Sequence, residues 1–230
     1  MSCLTHRRHE RYHEAVQRLR IRFSRGEELK FISHLDLMRL WERALRRGGI
    51  PVAYSEGFSP HPRISIAAPL PIGVTSEAEL MDIVLEKTVS PHFFMRTMKP
   101  QLPRGADVLE IIQIPLTAPS LQSQAQFIDY RVSGRSDKTA SEIQAAISAT
   151  LQVEKLPWHH MRDTGPRHYD LRPLIEDVWL EDWRDQVYTL GMRLRCDARG
   201  TGRPEQVTAA LGLTEHPTLV HRTKIILAGG

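Results

Sequence analysis

Apolar and polar residues alternate in several short stretches of the chain, and this period of two predicts half-buried β-strands. In residues 19–24, Leu19, Ile21 and Phe23 point to one side of such a strand, and polar side chains point to the other. The longer run 79–85 follows the same rule. The pattern predicts strands at residues 19–24, 63–68, 79–85, 108–114, 127–133, 168–174, 186–195 and 219–227.

A helical period replaces this alternation in residues 34–47, where apolar positions around Trp41 recur at spacings of three and four. Ser33 and Asp36 have the spacing of a capping box at the start of this helix, and two glycines follow its end. The opposite side of the helix collects arginines, so one helix has a core face and a basic face. Further helices are predicted from residues 90–91 to 99–100, at 138–150 and at 204–211.

The order of elements predicts the fold class. Strand, helix, strand, strand, helix, strand is the ferredoxin-like pattern, and it occurs over residues 18–114 and again, less regularly, over 127–230. We therefore expect an α+β protein with two tandem ferredoxin-like (βαββαβ) halves and antiparallel sheets. Residues 1–17 are predicted to be a basic N-terminal arm, 115–126 a linker, and 151–185 an irregular segment.

Composition excludes several classes of protein. No run of 18 apolar residues occurs, and the first 20 residues carry charges where a signal peptide has its apolar core. The two cysteines, Cys3 and Cys196, form neither a disulfide framework nor a C-x-x-C metal motif. We expect a cytoplasmic protein that binds no membrane, no metal and no cofactor.

Charge is distributed unevenly along the chain. Residues 1–48 contain 12 of the 31 basic and 6 of the 27 acidic residues, which leaves 19 basic and 21 acidic residues in the remainder. Clustered Lys and Arg side chains are typical of proteins that bind polyanions, and RNA is the expected partner. A solvated basic arm explains the asymmetry equally well. The exposed basic residues expected to bind are Arg22, Arg39, Arg43, Arg46 and Arg47.

The start of the first helix is a candidate anion site. Lys30, Ser33, His34, Asp36 and Arg39 cluster where free backbone N–H groups and the helix dipole favour a phosphate or carboxylate. Capping alone accounts for Ser33 and Asp36. It does not account for His34, which can titrate near neutral pH and act as a general acid or base.

The loop that follows the helix is a second candidate. Two prolines stiffen it, and it brings together Tyr54, Phe58, Ser59, His61 and Arg63. An exposed aromatic ring here can stack on a base, whereas a purely structural turn would bury Phe58 in the core. We also predict that His34 and His61 converge at one end of the sheet, where they would form an acid–base pair.

A third group of candidates lies in the second half. Asp170 and Arg172 alternate on one predicted strand face, where they can bind a ligand or pair with each other across the sheet. Arg203 ends a stretch that contains Arg199, Gly200 and Gly202, and glycines there would allow a backbone nest for phosphate. A flexible hairpin loop is the alternative.

One long segment resembles a known family. Residues 18–86 read RLRIRFSRGEELKFISHLDLMRLWERALRRGGIPVAYSEGFSPHPRISIAAPLPIGVTSEAELMDIVLE, which is similar to the bacterial radical SAM-linked family of uncharacterised function. Members occur alone or fused behind B12-binding-type radical SAM enzymes. Weaker similarity returns at residues 169–175 and 203–207. The resemblance implies a radical SAM enzyme as partner, since the family is associated with such enzymes. This chain has no three-cysteine cluster motif of its own.

Three functions fit these observations. The first is an RNA-binding or substrate-presenting accessory protein that acts with a radical SAM enzyme in RNA or ribosome-related modification. The second is a metal-independent ribonuclease that uses His34 and His61. The third is a protein-interaction domain that docks to the radical SAM enzyme. At the level of the fold alone, the layout is also similar to the tandem ferredoxin-like RNA-processing proteins of CRISPR systems.

Overall fold

A computed structural model describes residues 15–162, 165–213 and 215–229 of the protein. These residues form a nine-stranded, mostly antiparallel sheet, a separate two-stranded hairpin and a few helices, which confirms the predicted α+β class. The helices are α1 (His34–Arg47), α2 (Pro91–Met98), α3 (Leu121–Gln124), α4 (Ala140–Gln152) and α5 (Pro204–Ala210). The strands are β1 (Gln17–Arg25), β2 (Ile64–Ile66), β3 (Thr75–Leu85), β4 (Val108–Ile114), β5 (Ala125–Arg135), β6 (Pro157–Arg162), β7 (Gly165–Asp170), β8 (Ile175–Arg184), β9 (Val187–Asp197), β10 (Gly200–Thr201) and β11 (Leu219–Leu227).

The first half of the chain contributes four neighbouring strands to the sheet, in the order β4-β1-β3-β2, and every pair is antiparallel. Alternation along β1 places its apolar residues under α1 and α2. There Phe23 meets Trp41 edge to face, with ring centroids 5.0 Å apart. Ser33 caps α1 by accepting a hydrogen bond from the Asp36 N–H, as the sequence predicts.

The second half contributes strands in the order β11-β5-β9-β8, again with antiparallel pairs. Its core lies beneath α4 and α5 and includes Ile128, Ile143 and Leu190. A complete capping box between Thr139 and Glu142 begins α4. Between α4 and β8 the chain forms the β6–β7 hairpin, which is separate from the main sheet.

The two halves join where β11 pairs in parallel with β3, with Arg222 opposite Ser76. At this join the Arg222 guanidinium lies 2.9 Å from the Glu79 carboxylate, and the two side chains are 1% and 0% exposed. Arg222 also donates to the carbonyl oxygens of Ala68 and Pro69. Burial alone would lower the pKa of Arg222, but Glu79, with a smaller contribution from Tyr130, opposes this effect, and the pKa is raised overall. The arginine therefore stays cationic inside the protein.

Two predicted irregular segments are ordered in the structure. The predicted linker 115–126 contains α3 and the start of β5, where Leu121 and Ala125 are buried in the second core. The predicted irregular segment 151–185 contains β6, β7 and the whole of β8. Bulges in the β8–β9 pairing, between Ile175 and Asp177 and between Leu180 and Asp182, interrupt the alternation of β8. The period of two is lost there, so the pattern failed to predict the strand.

The ends of other elements also differ from the prediction. The predicted strand 168–174 is β7 followed by a 3₁₀ turn, Arg172–Leu174, because Pro173 cannot donate to a sheet. Of the predicted arm 1–17, residues 1–14 lie outside the described residues. Gln17 belongs to β1, and its buried side chain exchanges hydrogen bonds with the Val89 backbone. None of the helices among the described residues has the length and apolar character needed to cross a membrane.

Candidate nucleic-acid interface

At the start of α1, several of the polar side chains predicted to bind an anion are already bonded to each other or to neighbouring residues. The Ser33 hydroxyl donates to the Asp36 carboxylate at 2.7 Å, and this hydrogen bond lowers the pKa of Asp36. Lys30 lies 2.6 Å from the Glu27 carboxylate and 5.2 Å from the centre of the Phe31 ring. The cap and the ion pair therefore use the groups predicted to hold an anion. His34 is half-exposed at the first helical position.

The loop 54–63 forms an ordered and exposed hairpin. Tyr54 and Pro62 pair as a β-bridge, and Ser55 and His61 exchange two hydrogen bonds of 2.8 and 3.0 Å. Phe58 is fully exposed at the tip, so the alternative that buries it in the core is wrong. The other predicted site residues of this loop, Ser59, His61 and Arg63, are exposed as well.

The two candidate histidines lie at opposite ends of the first half. His34 follows the Arg25 end of β1, where the Lys30 carbonyl accepts from the Gly73 N–H before β3 begins. His61 precedes β2 and lies beyond the other end, where Arg63 and Val84 pair through their backbones. The nine residues of β1 separate these ends by roughly 26 Å, at about 3.3 Å per residue. The prediction that His34 and His61 converge is wrong, and the acid–base pair proposed for a ribonuclease is lost with it.

The arginines of β1 are engaged in ion pairs or hydrogen bonds. Arg18 and Arg20 both bind the carboxylate of Asp82, at 2.7 and 2.8 Å, on the face of the sheet opposite α1. Arg22 pairs with Glu110 at 3.2 Å. Arg25 is buried and donates to backbone carbonyl oxygens, including that of Leu29. Arg22, a predicted binding residue, therefore already has an acidic partner.

The arginines of α1, in contrast, have few or weak contacts with acidic side chains. Arg43 and Arg46 are exposed, and within the described residues neither side chain makes an ion pair or a hydrogen bond. Arg47 donates to the side chain and the backbone of Gln101, which are neutral groups. Arg39 lies 3.5 Å from Asp36, and both side chains are more than half exposed, so this pair is weak.

Helix α2 extends this basic face. A Cβ atom placed on Gly48, at the end of α1, would contact Thr97 and Met98, so the last turns of the two helices are neighbours. Residues 87–106 contain no acidic side chain, a signal that sequence reasoning missed. We define the basic helical surface as the exposed cations of these two helices and the turn after α2, namely Arg39, Arg43, Arg46, Arg47, Arg96 and Lys99.

The second-half candidates line a groove of about 1340 Å³ at the junction of the halves. Asp170 and Arg172 do not pair across the sheet. The Asp170 carboxylate accepts from the backbone N–H groups of Leu156 and Arg172, and the Arg172 guanidinium donates to the Ile175 and Leu151 carbonyls. Both residues thus hold the chain around the β6–β7 hairpin in place.

Arg203 precedes α5 at the rim of this groove and is exposed. The glycines before it serve packing, since a Cβ atom on Gly202 would lie 2.8 Å from the Leu174 carbonyl oxygen. A phosphate nest is therefore not needed to explain them. Within the described residues, no group of three His, Cys, Asp or Glu side chains is placed to hold a metal ion.

Comparison with known proteins identifies the family of the chain and a solved structure with a similar fold. A family model described as "Uncharacterized protein conserved in bacteria (DUF2344)" matches residues 18–204. A search of curated proteins finds no match. The chain resembles part of a protein in the crystal structure of a Cbf5-Nop10-Gar1 complex, with a TM-score of 0.52 and 7% identity. That similarity covers 90% of this chain and 48% of the other, and it shows a shared fold.

A second solved structure is the archaeal box H/ACA sRNP Nop10-Cbf5 complex, with a TM-score of 0.46 and 9% identity. The similarity covers 89% of this chain and 46% of the other chain. The protein thus spans about half the length of the structures that it resembles.

Proposed function

We propose that this chain, which belongs to the DUF2344 family of uncharacterised proteins conserved in bacteria, is a non-catalytic accessory protein that binds RNA. The basic helical surface supports this proposal. It carries six exposed cations, and only Arg39 has a carboxylate partner among the described residues, at 3.5 Å. Cations without partners can displace counterions from phosphates at little cost in existing contacts.

The spacing of the α1 arginines suits a phosphate backbone. Side chains three or four residues apart on a helix lie about 5–6 Å from each other, and each residue rises 1.5 Å. Arg39 and Arg47 are therefore separated by roughly 12 Å along the helix axis. Such a row can contact consecutive phosphates of one strand.

Exposed aromatic rings favour RNA over other polyanions. Phe58 and Tyr54 lie on the loop hairpin at the same end of the first half as Arg46 and Arg47, because α1 runs toward that end. Single-stranded bases stack on exposed aromatic side chains while basic residues bind the backbone. The same loop offers His61 for hydrogen bonding.

The two halves of the chain are proposed to be two domains with the same fold. We take residues 18–114 and 127–230 to be two ferredoxin-like domains, with residues 1–17 as an arm and 115–126 as the connection. The strand orders β4-β1-β3-β2 and β11-β5-β9-β8 are equivalent in the two halves, which supports this division. The β6–β7 hairpin is then an insertion into the second domain.

A radical SAM enzyme is the proposed partner, because residues 18–86 resemble the radical SAM-linked family. One surface is available for it. Phe31, Leu35 and Ile72 are each more than 60% exposed at the start of α1, where the Gly73 N–H binds the Lys30 carbonyl. Exposed apolar residues that gather in one place favour protein contacts. This observation supports docking as a second candidate function, with RNA bound at the opposite end of α1.

The test is RNA binding by the purified chain, measured by filter binding or fluorescence anisotropy with a mixed-sequence single strand at several salt concentrations. The doubly reversed variant Arg43→Glu/Arg46→Glu should bind at least about a hundredfold more weakly, since two phosphate contacts become repulsive. The matched control Arg135→Glu/Arg184→Glu has the same charge change on exposed arginines at the end of β5 and β8, and should bind almost normally.

Equal losses in the two variants would mean that net charge alone governs binding, and the proposal would fail. Recovery of crosslinked RNA and co-purifying proteins from the native cell then tests the partner. Recovery of a radical SAM enzyme without RNA would favour the docking function.

A further inference from the structure

We infer that the groove between the two halves binds a nucleoside phosphate, with the phosphate on Arg199 and Arg203 and the base against the aromatic side of the β6–β7 hairpin. This groove is separate from the basic helical surface, so the inference does not depend on RNA binding by that surface. The groove is bounded by residues 68–74 of the first half and by the β6–β7 hairpin and residues 195–206 of the second.

The groove is large enough to hold a ligand of this class. Small-molecule sites commonly enclose about 300–1000 Å³, and this groove, at about 1340 Å³, exceeds that range. A single nucleotide therefore enters with room for water. Its apolar lining includes Leu70, Val74 and Ile128, so part of the ligand surface meets hydrocarbon.

Most of the arginines in the groove wall already have partners. Arg222 pairs with Glu79, and Arg172 donates to backbone carbonyls. Arg195 lies 2.8 Å from the Asp197 carboxylate and donates to the Pro173 carbonyl. These three arginines therefore fix the shape of the wall and have few donors left for a ligand.

Two arginines are available. Arg203 is exposed, and its side chain has no hydrogen-bond or ion-pair partner among the described residues. The Arg199 side chain is 76% exposed, and its contact with Asp197 is long at 3.5 Å. Both lie in one hairpin segment whose backbone is held by the 2.8 Å hydrogen bond from the Arg199 N–H to Asp197. Because the backbone is held, binding a phosphate here orders only the side chains, at a smaller loss of entropy than in a mobile loop.

The facing wall is aromatic. Trp158 and Tyr169 are opposite each other on β6 and β7, and both line the groove. The Tyr169 hydroxyl donates to the Gln206 side chain at 2.7 Å, which ties the hairpin to α5. His159, which is exposed, also lines the groove on this hairpin. Half-buried rings facing arginines are the groups on which nucleobases stack.

The acidic residues of the groove limit its charge. Asp170 is used by two backbone N–H groups, and Glu176 lies 3.8 Å from Arg195. Glu205 is the third acidic residue in the lining. The groove thus offers two arginines without a close carboxylate partner, Arg199 and Arg203, beside an aromatic wall. That arrangement suits one phosphate group with its base better than inorganic phosphate alone.

Isothermal titration calorimetry of the full chain tests the inference with four probes: AMP, UMP, adenosine and inorganic phosphate. At least one nucleotide should bind, and adenosine and phosphate should each bind at least about tenfold more weakly, because each makes only part of the contacts. The variant Arg199→Ala/Arg203→Ala should reduce nucleotide affinity about tenfold or more and leave adenosine binding unchanged. The control variant Arg135→Ala/Arg184→Ala should match the native chain.

A trinucleotide separates the two possible sources of the ligand. Tighter binding of the trinucleotide than of AMP or UMP, still sensitive to Arg199→Ala/Arg203→Ala, would identify a nucleotide within an RNA strand. Equal affinities would identify a free nucleotide. The inference is overturned if no nucleotide or trinucleotide binds at millimolar concentration, if inorganic phosphate binds as tightly as the nucleotides, or if Arg199→Ala/Arg203→Ala has no effect.

Failure here can be separated from failure of the RNA-binding proposal. Arg43→Glu/Arg46→Glu should leave AMP and UMP binding unchanged, since both residues lie on α1 outside the groove. Circular dichroism of every variant shows whether it remains folded. Both groups of arginines are exposed, so we expect native spectra throughout.

Discussion

The two faces of the first half both carry arginines, but these arginines make different contacts. On the sheet face opposite α1, Arg18 and Arg20 share the buried carboxylate of Asp82. On the helical face, Arg43 and Arg46 have no acidic partner among the described residues. The first group holds strands together, and the second group is free to bind. A count of basic residues therefore overestimates the positive charge that a ligand can meet.

The largest expected effect comes from the buried pair at the join of the halves. The substitution Glu79→Gln leaves Arg222 charged, buried and without its carboxylate, so the free energy of unfolding should fall by about 3–5 kcal/mol. Urea denaturation measures this loss. The control Glu181→Gln removes the partly exposed partner of Arg131 and should cost less than about 1 kcal/mol. Similar losses in both variants would contradict the structural role given to the buried pair.

The second prediction concerns the arginines on the sheet face opposite α1. The substitution Asp82→Asn should lower the free energy of unfolding by roughly 2–3 kcal/mol, because two partly buried guanidinium groups lose their charged acceptor. RNA affinity should stay within about twofold of the native value, since these arginines point away from the basic helical surface. A large loss of RNA affinity in a still-folded Asp82→Asn protein would show that the paired face takes part in binding.

The third prediction concerns the helical face. Arg43→Ala/Arg46→Ala should lower RNA affinity about tenfold at 0.15 M salt and flatten the plot of log K against log salt concentration by roughly 1–2 units. Its stability should change by less than about 0.5 kcal/mol, because neither side chain has a partner to lose. Arg22→Ala, on the sheet face, is the control and should leave the salt dependence unchanged. The same slope in both variants would remove the distinction between the faces.

The smallest effect is a dependence of the free energy of unfolding on pH, caused by His221 at the join of the two halves. The His221 ring lies 2.8 Å from the Thr75 hydroxyl, and burial lowers the pKa of His221 although Glu77 opposes this effect. The unfolded chain then binds a proton more readily than the folded chain. Stability present above about pH 6.5 should therefore decrease as the pH falls, by less than about 1 kcal/mol.

Urea denaturation at pH 7.5 and 5.5 measures this effect, with His221→Gln as the comparison. The variant should lose less stability than the native protein between the two values. An equal loss would assign the pH dependence to other groups.

Regular patterns were the part of the fold that could be predicted. The bounds of α1, β4 and β11 agree with the prediction. For α1 the reason is a complete helical period with a cap at Ser33. The bulged strand β8 was missed, since two interruptions in its pairing with β9 change which side chains face the core. The helix α3 inside the predicted linker 115–126 was not predicted, because the packing of its residue Leu121 depends on tertiary contacts.

The candidate sites were predicted less well. Sequence reasoning selected the exposed arginines of α1 correctly as an exposed basic face, but it grouped them with Arg22, which has an acidic partner. It missed Arg96 and Lys99, although the absence of acidic residues from 87–106 was visible. It did not predict the groove as a whole, because no short motif spans the groove. Six of the candidate residues nevertheless line it: Asp170, Arg172, Arg199, Gly200, Gly202 and Arg203.

The sequence by itself determined the α+β class, most of the helices and strands, and the basic face of α1, because these depend on residue periods within one turn or one strand. Tertiary structure alone decided which arginines are available. Arg18 and Asp82 are 64 residues apart, and Arg222 and Glu79 are 143 apart. Whether a charge is neutralised depends on which strands become neighbours, and that pairing is a property of the folded sheet rather than of any local segment.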